Sequence, residues 1–225
     1  MMISIASLNV GSVKRIVDAA GTAYRSGIRR PARTEPQFLA ERGFLGDASR
    51  FKGHHTVNSA VHVFPLAHYV HYEALAGKTL PVPAFGENFT VDGGAETEVC
   101  IGDVFEVGDA LVELSQPTER CPTPGRSLDI QELKQWIEAC AFTGYYLRVL
   151  RPGWVRVNDR MVLQERTLPD WSVDRVTRAL LHEIGDEALY EEILALGTLS
   201  DDWKARMRVL RGRWLARSER KYASS

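Results

Sequence analysis

Up to about residue 165, apolar residues come in short bursts with Gly, Pro, Asn and Asp between them. Runs of this kind predict strands over Ile3–Leu8, Asn88–Val91, Val104–Val107, Leu111–Ser115, Tyr145–Leu150, Trp154–Val157 and Met161–Leu163. Asp92-Gly93-Gly94, Gly102-Asp103, Gly108-Asp109, Arg151-Pro152-Gly153 and Asn158-Asp159 supply the turn chemistry between them. Many short strands at this spacing imply a barrel or sandwich and argue against a βαβ sheet. Two helices interrupt the strands. Pro65 suits the first turn of one that runs to Ala76 and stops at Gly77, and Asp129 is placed to cap another, with Glu132, Leu133, Ile137 and Ala141 at helical spacing.

The period then changes. Val173, Val176, Leu180 and Ile184 recur near every 3.6 residues behind Ser172, a suitable N-cap. A second helix is expected from Glu187 to Leu196, closed by Gly197, and a third after Ser200, with Trp203, Met207, Leu210 and Trp214 in one stripe. The chain therefore divides into a strand-rich unit over 1–167 and a small three-helix unit over 168–225, packed on the first unit or on another subunit.

The 225 residues suffice for one sizeable core, and 44% hydrophobic with 25% charged residues is ordinary for a soluble protein. A net charge of −1 argues for no acidic or basic partner overall. No apolar run approaches the roughly 20 residues of a bilayer span, so no membrane partner is expected. The N-terminus, without a charged leader region, reads as a strand and not as a signal peptide. Cys100, Cys121 and Cys140 are odd in number and widely spaced, which fits free thiols in a reducing compartment and a cytoplasmic location.

Cys121 lies just past a strand, in Ser115-Gln116-Pro117-Thr118-Glu119-Arg120-Cys121-Pro122. The two prolines read as an extended, stiff segment. A thiol beside a guanidinium is placed to become a thiolate that ligates a soft metal or attacks an electrophile, while a half-buried structural cysteine is the alternative. Arg25, Arg29, Arg30 and Arg33 form a basic loop able to hold an anion, or simply a solvated one. Gly43-Phe44-Leu45-Gly46-Asp47 is a tight turn with an acid at its exit. Five of the six histidines fall between His54 and His71, but adjacent His54 and His55 tend to point apart and no acid sits at zincin spacing. Phe85-Gly86-Glu87-Asn88-Phe89 offers a carboxylate and an amide at a strand start, suited to a heterocycle or to capping the strand. The last helix is rich in Lys and Arg but lacks interleaved aromatics, so a solvated or subunit-facing surface is expected in place of nucleic-acid binding.

Taken in order, these pieces resemble the MOSC domain family, in its YiiM-like branch with a three-helix tail. The matching stretches are Tyr24 to Pro31, Gly43 to Asp47, His54 through Val61, His68-Tyr69, Ala84 to Asn88, Ile101 to Phe105, Ser115-Gln116-Pro117 with Cys121, and Gly144-Tyr145. The resemblance implies a mainly β fold with α, a MOSC-type β-barrel with interspersed helices followed by three C-terminal helices. It implies binding of molybdenum cofactor (molybdopterin), with the Cys121 thiolate on the metal, and reduction of N-hydroxylated compounds such as hydroxylaminopurines. On the same ground Glu87 and Asn88 line the pterin or substrate cleft, Asp47 and His54 shape its rim, and Arg25 or Arg29 meets the phosphate. The chain departs from the family pattern at His54-His55-Thr56, where His-Gly-Gly is usual, and at Pro117-Thr118, where Pro-Arg is usual; Arg120 is placed to replace that lost cation. No dinucleotide-binding Gly-x-Gly-x-x-Gly follows a strand, so electrons must come from a separate reductase. The apolar tail stripe permits a homodimer. The alternative is a divergent MOSC module that holds a ligand, or carries sulfur on Cys121, without turnover.

Overall fold

The computed structural model describes residues 1–48, 56–119, 121–182 and 187–223, the stretch 217–223 by its backbone alone. Seven strands close into a barrel in the order β1, β12, β8, β9, β10, β6, β7. These are β1 (Met2–Leu8), β6 (Val61–Pro65), β7 (Phe89–Asp92), β8 (Val104–Val107), β9 (Ala110–Pro117), β10 (Tyr145–Arg151) and β12 (Arg160–Glu165). Every neighbouring pair is antiparallel except β6 and β7, which run parallel. A parallel pair needs a crossover. Here it is α1 (Ala67–Ala76), ended by Gly77 in the left-handed conformation, and the loop behind it.

Two small sheets lie outside the barrel. β2 (Lys14–Val17) and β3 (Ala23–Ser26) form a hairpin, and β4 (Gln37–Ala40) pairs with β5 (Gly43–Phe44) and with β11 (Gly153–Val155). The expected strand at Trp154 therefore belongs to the outer sheet.

Alternation along β6 separates two cores. Val61 and Val63 point into the barrel with Ile3, Ile5, Phe89, Val91, Phe105 and Leu147. Phe64 points out and, with Tyr72, Phe85, Leu133 and Ile137, forms a second core under α1 and α3 (Leu133–Cys140). Phe64 and Phe85 stack with ring centres 4.1 Å apart.

Two expectations need correction. Pro65 ends β6 and does not open a helix: its backbone lies in the parallel pair, opposite Val91. Asp129 closes a helix and does not start one. It adopts φ 54° after α2 (Thr123–Leu128), and its N–H donates to Gly125 O. Asp tolerates that left-handed position better than most residues. The stiff segment around Pro122 is likewise the entry to α2, because proline loses no bond in a helix's first turn.

The C-terminal helices are α4 (Val173–Leu181), α5 (Glu187–Ala195) and α6 (Asp201–Ala223). Ser172 caps α4, its Oγ accepting from Arg175 N at 3.2 Å. Backbone bonds stitch this entry to the barrel: Val173 N to Val99 O at 3.0 Å and Asp174 N to Glu96 O at 2.9 Å. Val176, Tyr190, Trp203 and Met207 are buried in the same cluster as the barrel interior. The helices thus pack on their own barrel. No helix among the described residues is long and apolar enough to cross a membrane.

Candidate functional site

Strand register lines up Gln116, Tyr146, His62 and Asn88 across β9, β10, β6 and the entry to β7. Asn88 is the hub. Its Oδ1 accepts from His62 N at 3.1 Å, while Nδ2 donates to Asn9 O at 3.1 Å and to Asp47 Oδ2 at 2.8 Å. Asp47, its side chain wholly buried, also accepts from Gly11 N at 3.0 Å and Arg30 Nε at 2.9 Å. Arg30 Nη1 reaches on to Gly86 O. A buried carboxylate paired with guanidinium, amide and backbone donors is satisfied on every side, which such a charge requires. This network ties the arginine loop, the Gly-x-x-Gly-Asp turn and the Phe-Gly-Glu-Asn turn into one wall.

Glu87 sits behind that wall, fully buried. Tyr69 Oη and Thr90 Oγ1 donate to its Oε1, the latter at 2.9 Å, and Phe85 N donates to Oε2 at 3.0 Å. Its neighbour Gly86 takes φ +72°, and a Cβ there would lie 3.3 Å from Ile28 Cγ1, so the turn and the arginine loop are in close approach.

Cys121 is exposed and immediately precedes Pro122 at the head of α2. Among the described residues it has no hydrogen-bond or ion-pair partner. Upstream, Thr118 N donates to Gly144 O at 3.0 Å, closing the base of the long β9–β10 connection. Thr118 Oγ1 is buried with no partner among the described residues. Gly144 cannot carry a side chain, since a Cβ would fall 2.4 Å from Val63 O. The Ser115-Gln116 pair meets the tail: Ser200 N donates to Ser115 O at 3.0 Å and Ser200 Oγ to Gln116 Oε1.

The arginines divide by position. Arg25 is exposed on β3, opposite Arg15. Arg29 crosses to α2, donating from Nε to Ser127 Oγ at 3.3 Å and from Nη2 to Ser127 O at 3.2 Å. Lys14, Arg29 and Arg30 border a cavity of about 370 Å³ whose far side is Ser127 and Leu128 of α2. On the other flank of α2, Arg126 Nε donates to Asp18 at 2.7 Å, and its guanidinium lies 4.1 Å over the Tyr24 ring. That guanidinium holds the Asp18 carboxyl below the usual carboxylate range.

Of the residues singled out from sequence, the fold joins Asp47 directly to Asn88 and places Glu87 beside them. It puts Arg29 against α2, the helix that follows Cys121, and leaves Arg25 on the hairpin surface. No bond links Cys121 to any of these among the described residues, and His54 and Arg120 lie outside them. The histidines disperse: His62 is on β6, and His68 on α1 binds Glu96 Oε2 through Nε2 at 2.6 Å. Lys14, Asn9, Arg30's pairing and Arg126 escaped sequence reasoning. Only Arg30 carried a signal, as one of four neighbouring arginines.

Similarity to known proteins agrees with this layout. Residues 50–162 match the MOSC domain and residues 171–209 the YiiM-like, 3-alpha helix domain. The chain is 33% identical to uncharacterized protein YflK of Bacillus subtilis, over 90% of this chain and 91% of that one. It is 29% identical to protein YiiM of Escherichia coli, over 77% of this chain and 79% of that one. A Gibberella moniliformis protein named reductase is 30% identical over 77% of this chain but only 31% of its own length. The crystal structure of YiiM from Geobacillus stearothermophilus superposes with TM-score 0.78 at 26% identity, covering 93% of this chain and 99% of that one. Barrel, tail and matched residues together place this chain in the MOSC family, with the three-helix tail of its YiiM-like members.

Proposed function

We propose that this protein binds molybdenum cofactor and reduces N-hydroxylated compounds, with the Cys121 thiolate as protein ligand to the metal. The carrying observation is an exposed thiol, without a hydrogen-bond partner among the described residues, just before α2, a helix whose last turn borders a cation-lined cavity. The donor set fits the group. A thiolate is a sulfur donor able to ligate a transition metal. Lys14 has no ion-pair partner among the described residues, and Arg29 bonds only the neutral Ser127. Both charges are therefore available to a phosphate.

In this reading Arg29 and Lys14 would neutralise the phosphate, and Cys121 would hold the metal. Arg30, Asp47, Asn88 and Glu87 hold the wall in shape, since their polar atoms are bound to protein groups. When bound, the cofactor supplies two-electron removal of oxygen from an N–OH group, giving the amine and water, with two protons and two electrons from a separate reductase. The reductase-named relative and membership of the MOSC family support it. The test is molybdenum and pterin analysis of protein made in cells that synthesise the cofactor, beside Cys121→Ala. Near-stoichiometric metal and pterin, lost in the variant, is the expected result. Labile sulfur on Cys121 without molybdenum would favour the sulfur-carrying module.

A further inference from the structure

The β9–β10 connection carries Cys121, α2 and α3, and the C-terminal helices hold it at both ends. At the exit, Arg178 Nη2 donates to Cys140 O at 2.9 Å and His182 Nε2 to Glu138 O at 2.8 Å. The last carbonyls of a helix have no following turn to accept from, so side-chain donors satisfy them, and a cation there also suits the helix dipole. Arg178 is itself aimed by Asp174, one turn earlier in α4, whose carboxylate accepts from its Nε at 2.8 Å. Asp174 N donates to Glu96 O, and the Glu96 carboxylate accepts from Gly144 N at 2.6 Å. The start of α4 and the end of the connection therefore share one anchor. At the entry, Ser200 heads α6: its Oγ accepts from Trp203 N at 3.1 Å and donates to Gln116 Oε1. Arg206, further along α6, pairs with Glu119, two residues before Cys121. Apolar burial of Val176, Trp203 and Met207 already fixes the tail on the barrel. The polar bonds come in addition, and they fall on either side of Cys121 in the chain. Within the connection α2 and α3 meet closely, since Ile130 N donates to Gly125 O and a Cβ at Gly125 would fall 2.5 Å from Ile130 O. A hold on α3 is thereby a hold on α2.

We infer that the three-helix tail is a positioning element for the segment that carries Cys121, with Arg178 and His182 as its positioning residues on α3. A tail that only packed on the barrel would lend it stability. One that positions the connection orders residues 121–140 and leaves the barrel as it is. Resting on the reading of Cys121 as the metal ligand, that order sets the fraction of the protein competent to hold the cofactor.

Hydrogen exchange of the full chain tests this without any turnover. Arg178→Met with His182→Leu removes both donors and keeps side-chain bulk. Amide exchange over residues 121–140 is expected to rise at least about tenfold, with exchange in β1, β8 and β12 unchanged. His182→Leu alone, at a half-buried position, gives the same comparison in a milder form. Arg178→Lys with His182→Gln returns a donor at each position and is expected to bring exchange back to within about threefold of the unaltered protein. Molybdenum retained after dialysis, in protein made in cofactor-replete cells, is expected to fall at least about threefold without the donors and to recover with them. Exchange over 121–140 that stays the same, or that rises equally in β1, β8 and β12, would overturn the assignment. So would an equal rise in the donor-restoring variant, or molybdenum retention untouched by loss of the donors. An unaltered protein that holds no molybdenum would instead remove the cofactor reading, and the exchange result would decide the role of the tail by itself.

Discussion

The Asn88 amide donates to the Asp47 carboxylate at 2.8 Å, joining the turn before β7 to the turn after β5. Between them stands Arg30, whose charge Asp47 neutralises. Asp47→Ala would leave that guanidinium, 8% exposed, without a counter-charge. A loss of about 3–5 kcal/mol in urea unfolding is expected, with Asp47→Asn milder because it keeps acceptor capacity. A loss below about 1 kcal/mol in the alanine variant would show that the network does not hold the wall.

The three thiols differ in environment, and alkylation should rank them. Cys121 is exposed, whereas burial pushes the Cys100 thiol up and its Sγ lies 3.4 Å from Pro169 O. Iodoacetamide on the folded protein is expected to label Cys121 first and Cys100 last, read by mass spectrometry of digests. Cys121→Ser should change stability by less than about 0.5 kcal/mol, because the side chain is exposed and has no hydrogen-bond partner among the described residues. Earlier labelling of Cys100 would contradict this placement.

Acid should loosen the β2–β3 hairpin before it touches the barrel. Asp18 is held below its ordinary 3.8 chiefly by the hydrogen bond from Arg126. A depressed carboxylate contributes stability that is present above the unfolded value and disappears as pH falls through the folded one. Hydrogen-exchange protection over residues 14–26, normalised to the barrel strands, is therefore expected to hold at neutral pH and to fall below pH 3.8. Arg126→Gln should abolish this acid step and lower protection at neutral pH. An acid profile identical in the variant would reassign the step to another group.

Trp203 is 1% exposed within the cluster that also contains the barrel interior. Trp203→Ala is expected to cost about 3–5 kcal/mol and to destabilise barrel and tail together in one transition. Tryptophan fluorescence and far-ultraviolet circular dichroism should give coincident curves. Two separated transitions would mean that the tail unfolds on its own.

Strands with one clear apolar face were readable in advance, Val104–Val107 to the residue. β6 was not, because all five of its residues are buried, between the barrel interior and the second core, and alternation vanishes. β2 and β3 were missed for the opposite reason: Ile16 is their one buried side chain, so there is no pattern to find. Asp129 was ambiguous because an acid suits both a helix start and a left-handed stop. At the site, adjacent Arg29 and Arg30 are equivalent as letters. Only the fold sends one to Ser127 and the other to Asp47.

The parallel pairing of β6 with β7 obliges the chain to leave the barrel at one end and return at the other. That detour creates an outer shelf with its own apolar interior, and the α2–α3 shelf rests on it. The cysteine and the cation-lined cavity are thus mounted on material that the barrel's closure does not require.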